Sequence, residues 1–301
     1  MQLYDDLIKA TPAQGGRDAV LVENCHWGLK RPFKPTQKWC PWNLYRTSGD
    51  INAKYASVVG NLRTMNYYAN NNLSYPGCWA YPDMLEVGCD HGRHGDRDPG
   101  LSETEAATHF AAWAIVSSPL ILSHDVNNAT VMDAVWPIIS NREAIAVNQA
   151  WAGHSGSAFY RSPNTVTLGA VNHAAVQKGM GLPQLAALGP TVAPQHEYYY
   201  KPLEAGGKRT AVLLMNNGFN AADLRIAFKD IPGVKCTRCH VRDIWERRDL
   251  GNFDGSYLAK GVAPHAAPFL VITPSHHGGG GGRDHEEWRG AIPAAAALMA
   301  A

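Results

Sequence analysis

The stretch that decides the fold runs Trp42-Asn-Leu-Tyr45-Arg46-Thr-Ser-Gly49-Asp50-Ile51. Trp42–Tyr45 is a short apolar run closed by polar residues and a glycine, the pattern of a buried strand. Apolar residues then recur at 51, 55, 58, 59, 62 and 65, which predicts a helix over Ile51–Met65. Strand, tight loop and helix is the repeating unit of a parallel α/β sheet. Such sheets carry their functional groups on loops at the carboxyl ends of the strands, where Arg46 and Asp50 fall.

The same unit recurs on both sides. Ala19–Glu23, Asp83–Val87 and Leu120–Ser123 read as further strands. Ser102-Glu-Thr-Glu105 is a capping box opening a helix through Ala106, Phe110, Trp113 and Ala114, closed by Pro119. Ser140-Asn-Arg-Glu143 opens another that runs to about Gln149. Four such strands are too few to close a barrel, which needs eight.

From about residue 155 the pattern changes to short strand-like runs: Ser157–Arg161, Thr165–Val171, Tyr198–Lys201, Thr210–Met215, Leu224–Phe228, Cys239–Trp245 and Pro268–Thr273. Turn signals such as Asn216-Asn-Gly218 and Pro232-Gly233 separate them, which predicts an antiparallel β-sandwich with residues 175–195 as a long connection. The division is therefore 1–154 α/β, 155–274 sandwich and 275–301 a tail, whose five-glycine run and Ala-rich end read as low complexity.

Composition narrows the function. In 301 residues, 27 Lys+Arg against 26 Asp+Glu leave a net charge of +1, so nothing argues for nucleic acid or an anionic membrane surface. No apolar run approaches the roughly 20 residues that span a bilayer. The 9 Trp and 12 Tyr supply flat amphipathic rings, suited equally to sugar faces and to core packing. The first ten residues have neither the basic nor the apolar region of a signal peptide. They read as a helix already under way, with Leu3 and Leu7 one turn apart and no cap before them. The expectation is that the natural start lies upstream.

Cys25, Cys40, Cys78, Cys89, Cys236 and Cys239 form an even set of disulfide candidates, and Cys236-Thr-Arg-Cys239 reads as a local disulfide or two packed thiols. Asn72-Leu-Ser and Asn128-Ala-Thr are glycosylation sequons. Together they point to a secretory or lysosome-like compartment. Cys89-Asp-His91-Gly-Arg-His94-Gly-Asp96 superficially resembles a metal site, but its glycines and charges read as a solvated loop, so no metal is expected.

Read from the residues alone, Asp50 is either the cap of the following helix or a catalytic acid beside Arg46. Asp83, in Tyr81-Pro-Asp-Met, is either another such acid or a buried hydrogen-bonded carboxylate.

Arg46-Thr-Ser-Gly-Asp50-Ile, Pro82-Asp-Met-Leu85, Trp113-Ala with Ser118-Pro-Leu-Ile-Leu122, and Ala146-Val-Asn-Gln149 occur in that order, followed by Val241-Arg-Asp-Ile-Trp245 and Val262-Ala-Pro-His265. This ordered set, over about residues 15–273, resembles the melibiase-type α-galactosidases, retaining glycoside hydrolases of clan D. Glu23-Asn-Cys-His-Trp27 and Gly77-Cys-Trp-Ala-Tyr-Pro82 are most similar to a plant and algal subgroup that includes β-L-arabinopyranosidase-like members.

The resemblance implies the C-terminal half of a (β/α)8 barrel followed by the sandwich. It implies a carbohydrate substrate, no cofactor and no metal, with a homo-oligomer left open and a secreted, lysosomal, vacuolar or cell-wall location. It makes Asp50 the general acid/base and Arg46 a sugar-hydroxyl ligand. Cys25 and Cys40 match a family disulfide, and Trp27 and Trp79 become walls of the pocket. His26 stands where many members carry a hydroxyl-contacting Glu. Retention needs a second carboxyl about 5–5.5 Å from the first. The family's nucleophilic Asp lies on an earlier strand, so the expectation is an enzyme whose nucleophile falls before Met1. The alternative is a non-catalytic carbohydrate-binding or vestigial relative.

Overall fold

A computed structural model of the chain describes residues 3, 6, 7, 20–25, 34–90, 100–170 and 190–275. The first half is built on a parallel sheet of three short strands in sequential order, β1 (Glu23–Asn24), β2 (Leu44–Arg46) and β3 (Trp79–Tyr81). Helix α1 (Tyr55–Asn70) returns between β2 and β3, and α2 (Glu103–Ile115), α3 (Ala129–Ile139) and α4 (Arg142–Gln149) follow. Tyr45 and Ala80, on one face of the sheet, are buried in a core with Val58, Leu62 and Met65 of α1 and Phe110 of α2. The opposite face carries Glu23, Leu44, Arg46, Trp79 and Tyr81, because paired residues share a face and alternate ones reverse it.

Several expectations shift. The helix begins at Tyr55 rather than Ile51, with Lys54 as its cap residue and no side-chain cap. The intervening residues stay non-helical because other groups take their amides: Asp83 Oδ2 accepts from Ile51 N at 2.8 Å and Ser57 Oγ from Asn52 N at 3.0 Å. Asp50 is therefore not a helix cap. The third strand is Trp79–Tyr81, not Asp83–Val87. Pro82 lacks an amide donor and Asp83 adopts φ +90°, which breaks the extended backbone. Leu85 and Leu122 retain a single parallel bridge, so Leu120–Ser123 is not a full strand. Helix α4 is capped by Asn141, whose Oδ1 accepts from Glu143 N and Ala144 N, one residue beyond the Ser140 box. The Ser102–Glu105 capping box forms as read. Helix α3 was not foreseen; Asn128, read as a sequon, caps it.

The second half is all antiparallel. Strands β4 (Ser157–Arg161), β7 (His196–Pro202), β8 (Thr210–Asn216), β13 (Phe269–Pro274), β10 (Arg238–Asp243) and β11 (Arg248–Asp254) form one sheet in the spatial order β11-β10-β13-β8-β7-β4. β9 (Ala222–Ala227) pairs with β12 (Ser256–Val262), and β5 (Thr165–Ala170) with β6 (Pro190–Pro194). The centre of the six-stranded sheet is buried on both faces, and β8 shows how. Ala211, Leu213 and Met215 join the core shared with α1 and α2, whereas Val212 and Leu214 face a second core with Leu224 and Ile226 of β9. That is why Thr210–Asn216 reads as an unbroken apolar run rather than an alternating one.

The halves are bolted together by polar contacts. Lys201 of β7 is fully buried and donates to the carbonyls of Val147 and Asn148 at the end of α4, at 2.6 and 2.8 Å. Tyr55 of α1 stacks on His265 with ring centroids 4.0 Å apart and donates to Asn217 Oδ1 at 2.7 Å.

Two disulfides are present among the described residues. Cys236–Cys239 closes locally, as read. Cys40 pairs with Cys78, not with Cys25. The reason is placement: Cys40 and Cys78 precede the adjacent strands β2 and β3, which brings their Cα atoms to 6.1 Å, whereas Cys25 follows the carboxyl end of β1. Cys25 and Cys89 are thiols. Asn72 and Asn128 are both exposed. The 276–301 part of the expected tail lies outside the described residues.

Candidate active site

The carboxyl ends of β2 and β3 converge on one guanidinium. Arg46, the last residue of β2, places Nη2 2.7 Å from Asp83 Oδ2 and 3.3 Å from Asp50 Oδ1. The same nitrogen donates to Ser48 O at 3.2 Å. Nη1 lies 4.0 Å from Cys25 Sγ, and Nε is buried without a hydrogen-bond partner among the described residues.

The two acids differ. The Asp83 side chain is 8% exposed, and both its oxygens are engaged: Oδ2 by Arg46 and the Ile51 amide, Oδ1 by the Met84 amide at 2.9 Å. Its strained backbone is pinned by Trp113, whose indole donates to Asp83 O at 2.6 Å. Asp83 is thus the buried, hydrogen-bonded carboxylate of the two readings. Asp50 is 40% exposed on a loop, the geometry of a group that can meet a ligand.

That loop is stitched to its neighbour. Thr47 N donates to Tyr81 O at 2.9 Å, and Ser48 Oγ to Pro82 O at 3.0 Å. Asn61, on α1, spans both loops by donating to Gly49 O at 3.1 Å and Pro82 O at 3.0 Å. Asn61, Trp113 and Ser48 carried no signal of this role in the sequence, because their contribution is a hydrogen bond to backbone brought close only by the fold.

Beneath Trp113 sits His109, edge-on at 4.1 Å, accepting from Glu86 N at 2.9 Å. Burial holds its pKa down to about 3, so the ring is neutral and can accept there. On the inner wall, burial raises the Glu23 carboxyl, Arg46 pulls it down and Asp83 pushes it up. Burial also raises the Cys25 thiol and the Tyr81 phenol.

Trp79 shares the inner face but stands at the amino end of β3, two residues before Tyr81, edge-on to Trp151 at 5.5 Å. His26 and Trp27 lie outside the described residues, as do residues 91–99 of the Cys89–Asp96 segment.

The sequence matches two family profiles, one described as Alpha galactosidase A over residues 2–150, the other as Alpha galactosidase C-terminal beta sandwich domain over residues 193–272. The chain belongs to the melibiase-type α-galactosidase family. Within that family it is 28% identical over 276 residues to a probable alpha-galactosidase of Dictyostelium discoideum, covering 91% of this chain and 59% of the relative. It is also 28% identical over 275 residues to an alpha-galactosidase of Oryza sativa subsp. japonica, covering 91% and 54%. The chain thus spans a little over half the length of these relatives. The crystal structure of alpha-galactosidase I from Mortierella vinacea superposes with a TM-score of 0.62 at 23% identity, over 85% of this chain and 59% of that one. The fold is accordingly part of a melibiase-type (β/α)8 barrel followed by the family's β-sandwich.

Proposed function

We propose that this chain carries the acid/base half of a retaining exo-glycosidase site acting on terminal α-D-galactosyl residues, or on β-L-arabinopyranosyl residues, which share the ring configuration but lack the hydroxymethyl group. One observation carries the reading. Of the two carboxylates on Arg46, Asp83 is buried and saturated, while Asp50 is 40% exposed at the carboxyl end of the sheet. In this reading Asp50 protonates the leaving glycosidic oxygen and then activates water, and Arg46 orients it while offering its remaining N–H groups to a sugar hydroxyl.

Retention needs a second, nucleophilic carboxylate about 5–5.5 Å away. Asp83 does not qualify, because its oxygens are committed to Arg46 and two amides. We assign the nucleophile to no described residue. The two disulfides and the exposed sequons support an oxidising, secretory or vacuolar setting. No helix among the described residues is long and apolar enough to cross a membrane.

The test is hydrolysis of 4-nitrophenyl α-D-galactopyranoside and β-L-arabinopyranoside by the 301-residue chain, and by a form extended with any sequence encoded before Met1. The reading expects release from a form that carries both carboxylates, lost in Asp50→Asn. Release that Asp50→Asn leaves untouched overturns the role of Asp50. A non-catalytic sugar-binding protein is the second reading, because no described carboxylate is assigned as nucleophile. In that case the extended form binds galactose but hydrolyses neither glycoside.

A further inference from the structure

Three parallel strands fix which side chains share the wall beneath Asp50. The register sets Glu23 against Leu44 and Leu44 against Trp79, and Arg46 against Tyr81 one layer nearer the carboxyl ends. All five lie on the face turned away from α1. Glu23 is therefore directed to the Arg46 side of the sheet, where it feels the charges of both Arg46 and Asp83. Among the described residues its carboxylate has no hydrogen bond or ion pair, so that group is not spent on the fold as the Asp83 carboxylate is.

The guanidinium beside it is also incompletely satisfied. Its Nη2 serves Asp83, Asp50 and Ser48, but among the described residues Nη1 has only the distant Cys25 sulfur and Nε has no partner, although the side chain is 8% exposed. An unsatisfied buried donor edge next to an uncommitted acceptor matches a ligand group that both accepts and donates, which a sugar hydroxyl does.

We propose that Glu23 is a specificity-determining residue on the floor of this site. It takes a hydrogen bond from a ring substituent of the sugar and makes the floor anionic, so that the site favours neutral or amino sugars over uronates. This rests on the proposed sugar site at Arg46 and Asp50. Asp50 and Asp83 pair with Arg46, and Glu23 lies within electrostatic range of it, so an ionised Glu23 leaves the local charge negative even with Arg46 paired. A carboxylate substituent on the sugar meets repulsion there, whereas an ammonium in place of a hydroxyl adds an ion pair to a hydrogen bond that the carboxylate already accepts. Glu23→Gln keeps the size and an acceptor but removes the charge.

The test is binding of D-galactose, D-galactosamine and D-galacturonate to the full 301-residue chain at pH 7, by calorimetry or ligand-observed magnetic resonance. Wild type is expected to bind galactosamine about tenfold more tightly than galactose, and galacturonate more weakly than either. Glu23→Gln is expected to erase most of that spread. Glu23→Ser, smaller and neutral, should erase it too and weaken galactose binding as well, because it cannot replace the acceptor, and it guards against one variant failing to fold. If both variants keep the wild-type spread while Arg46→Ala abolishes galactose binding, the role of Glu23 is overturned and the sugar-site reading stands. If wild type binds none of the three sugars, both fall together.

Discussion

Arg46 and Asp83 are joined by a 2.7 Å ion pair in which each side chain is only 8% exposed. Removing one member of such a pair strands the other without solvent, a loss of about 3–5 kcal/mol. Asp83→Asn is expected to cost that much, because an amide cannot accept from Arg46, Ile51 and Met84 at once without turning its NH2 against one of these donors. Urea denaturation of wild type and variant gives the number. A loss under about 1 kcal/mol would mean that water reaches the pair.

Asp50 gives the opposite expectation from the same guanidinium. Its contact is longer, 3.3 Å, and its side chain is 40% exposed. Exposed pairs contribute about 0–1 kcal/mol. Asp50→Asn should thus shift the denaturation midpoint little while removing turnover in a catalytically complete form. Measured side by side, the two substitutions separate the scaffold carboxylate from the exposed one.

How much of this was legible depended on whether a signal was local. Arg46 and Asp50 could be placed from a strand, a glycine and a helix in immediate succession, and Ser102 and Glu105 cap α2 because both partners lie within one turn. The helical period starts α1 four residues early because Ile51 satisfies it, yet Asp83, 32 residues away, takes the Ile51 amide. β11 and β12, with sequences RDLGNFD and SYLAKGV, were missed because charge and glycine interrupt their apolar pattern. α3 was hidden by Pro137 within it and by an apolar composition that blurs its period. The Cys40–Cys78 pairing depends on β2 and β3 being neighbours, which is tertiary information.

That pairing leads to a chemical expectation. Non-reducing peptide mapping should join Cys40 to Cys78 and leave Cys25 free. Cys25 is exposed and should be alkylated first, whereas Cys89 is half-buried with its thiol pushed up to about 11, mainly by burial, and should lag. Because the bridge spans 38 residues, Cys78→Ser is expected to cost roughly 2–4 kcal/mol. A peptide linking Cys25 to Cys40 would reverse the assignment.

At the joint between the halves, Glu105 holds His265 Nδ1 at 2.7 Å while closing the capping box with Ser102. The His265 hydrogen bond, above all, lowers the Glu105 carboxyl below its usual 4.5. A depressed carboxylate contributes stability above its unfolded pKa and loses it as pH falls through the folded value. Glu105→Gln keeps a capping oxygen but not the charge. It should cost roughly 1–2 kcal/mol at pH 7. The deficit should shrink as pH falls below about 4.5. A deficit independent of pH would assign it to packing alone.

Lys201 provides the alkaline counterpart. Its fully buried ammonium is pushed down from 10.5 to about 7 by desolvation, although the carbonyls of Val147 and Asn148 accept from it. Between those two pH values the unfolded chain holds a proton that the folded one has released, so folding becomes more favourable as pH rises across the window. The stability of wild type relative to Lys201→Met should climb from pH 7 towards pH 10 by up to about 1.4 kcal/mol per unit. Below pH 7 it should be flat, because both states then carry the proton. Taking the difference between the two proteins cancels the tyrosines and thiols that titrate in the same range. A flat difference throughout would mean that the folded lysine stays charged and that its two carbonyl bonds outweigh the loss of water.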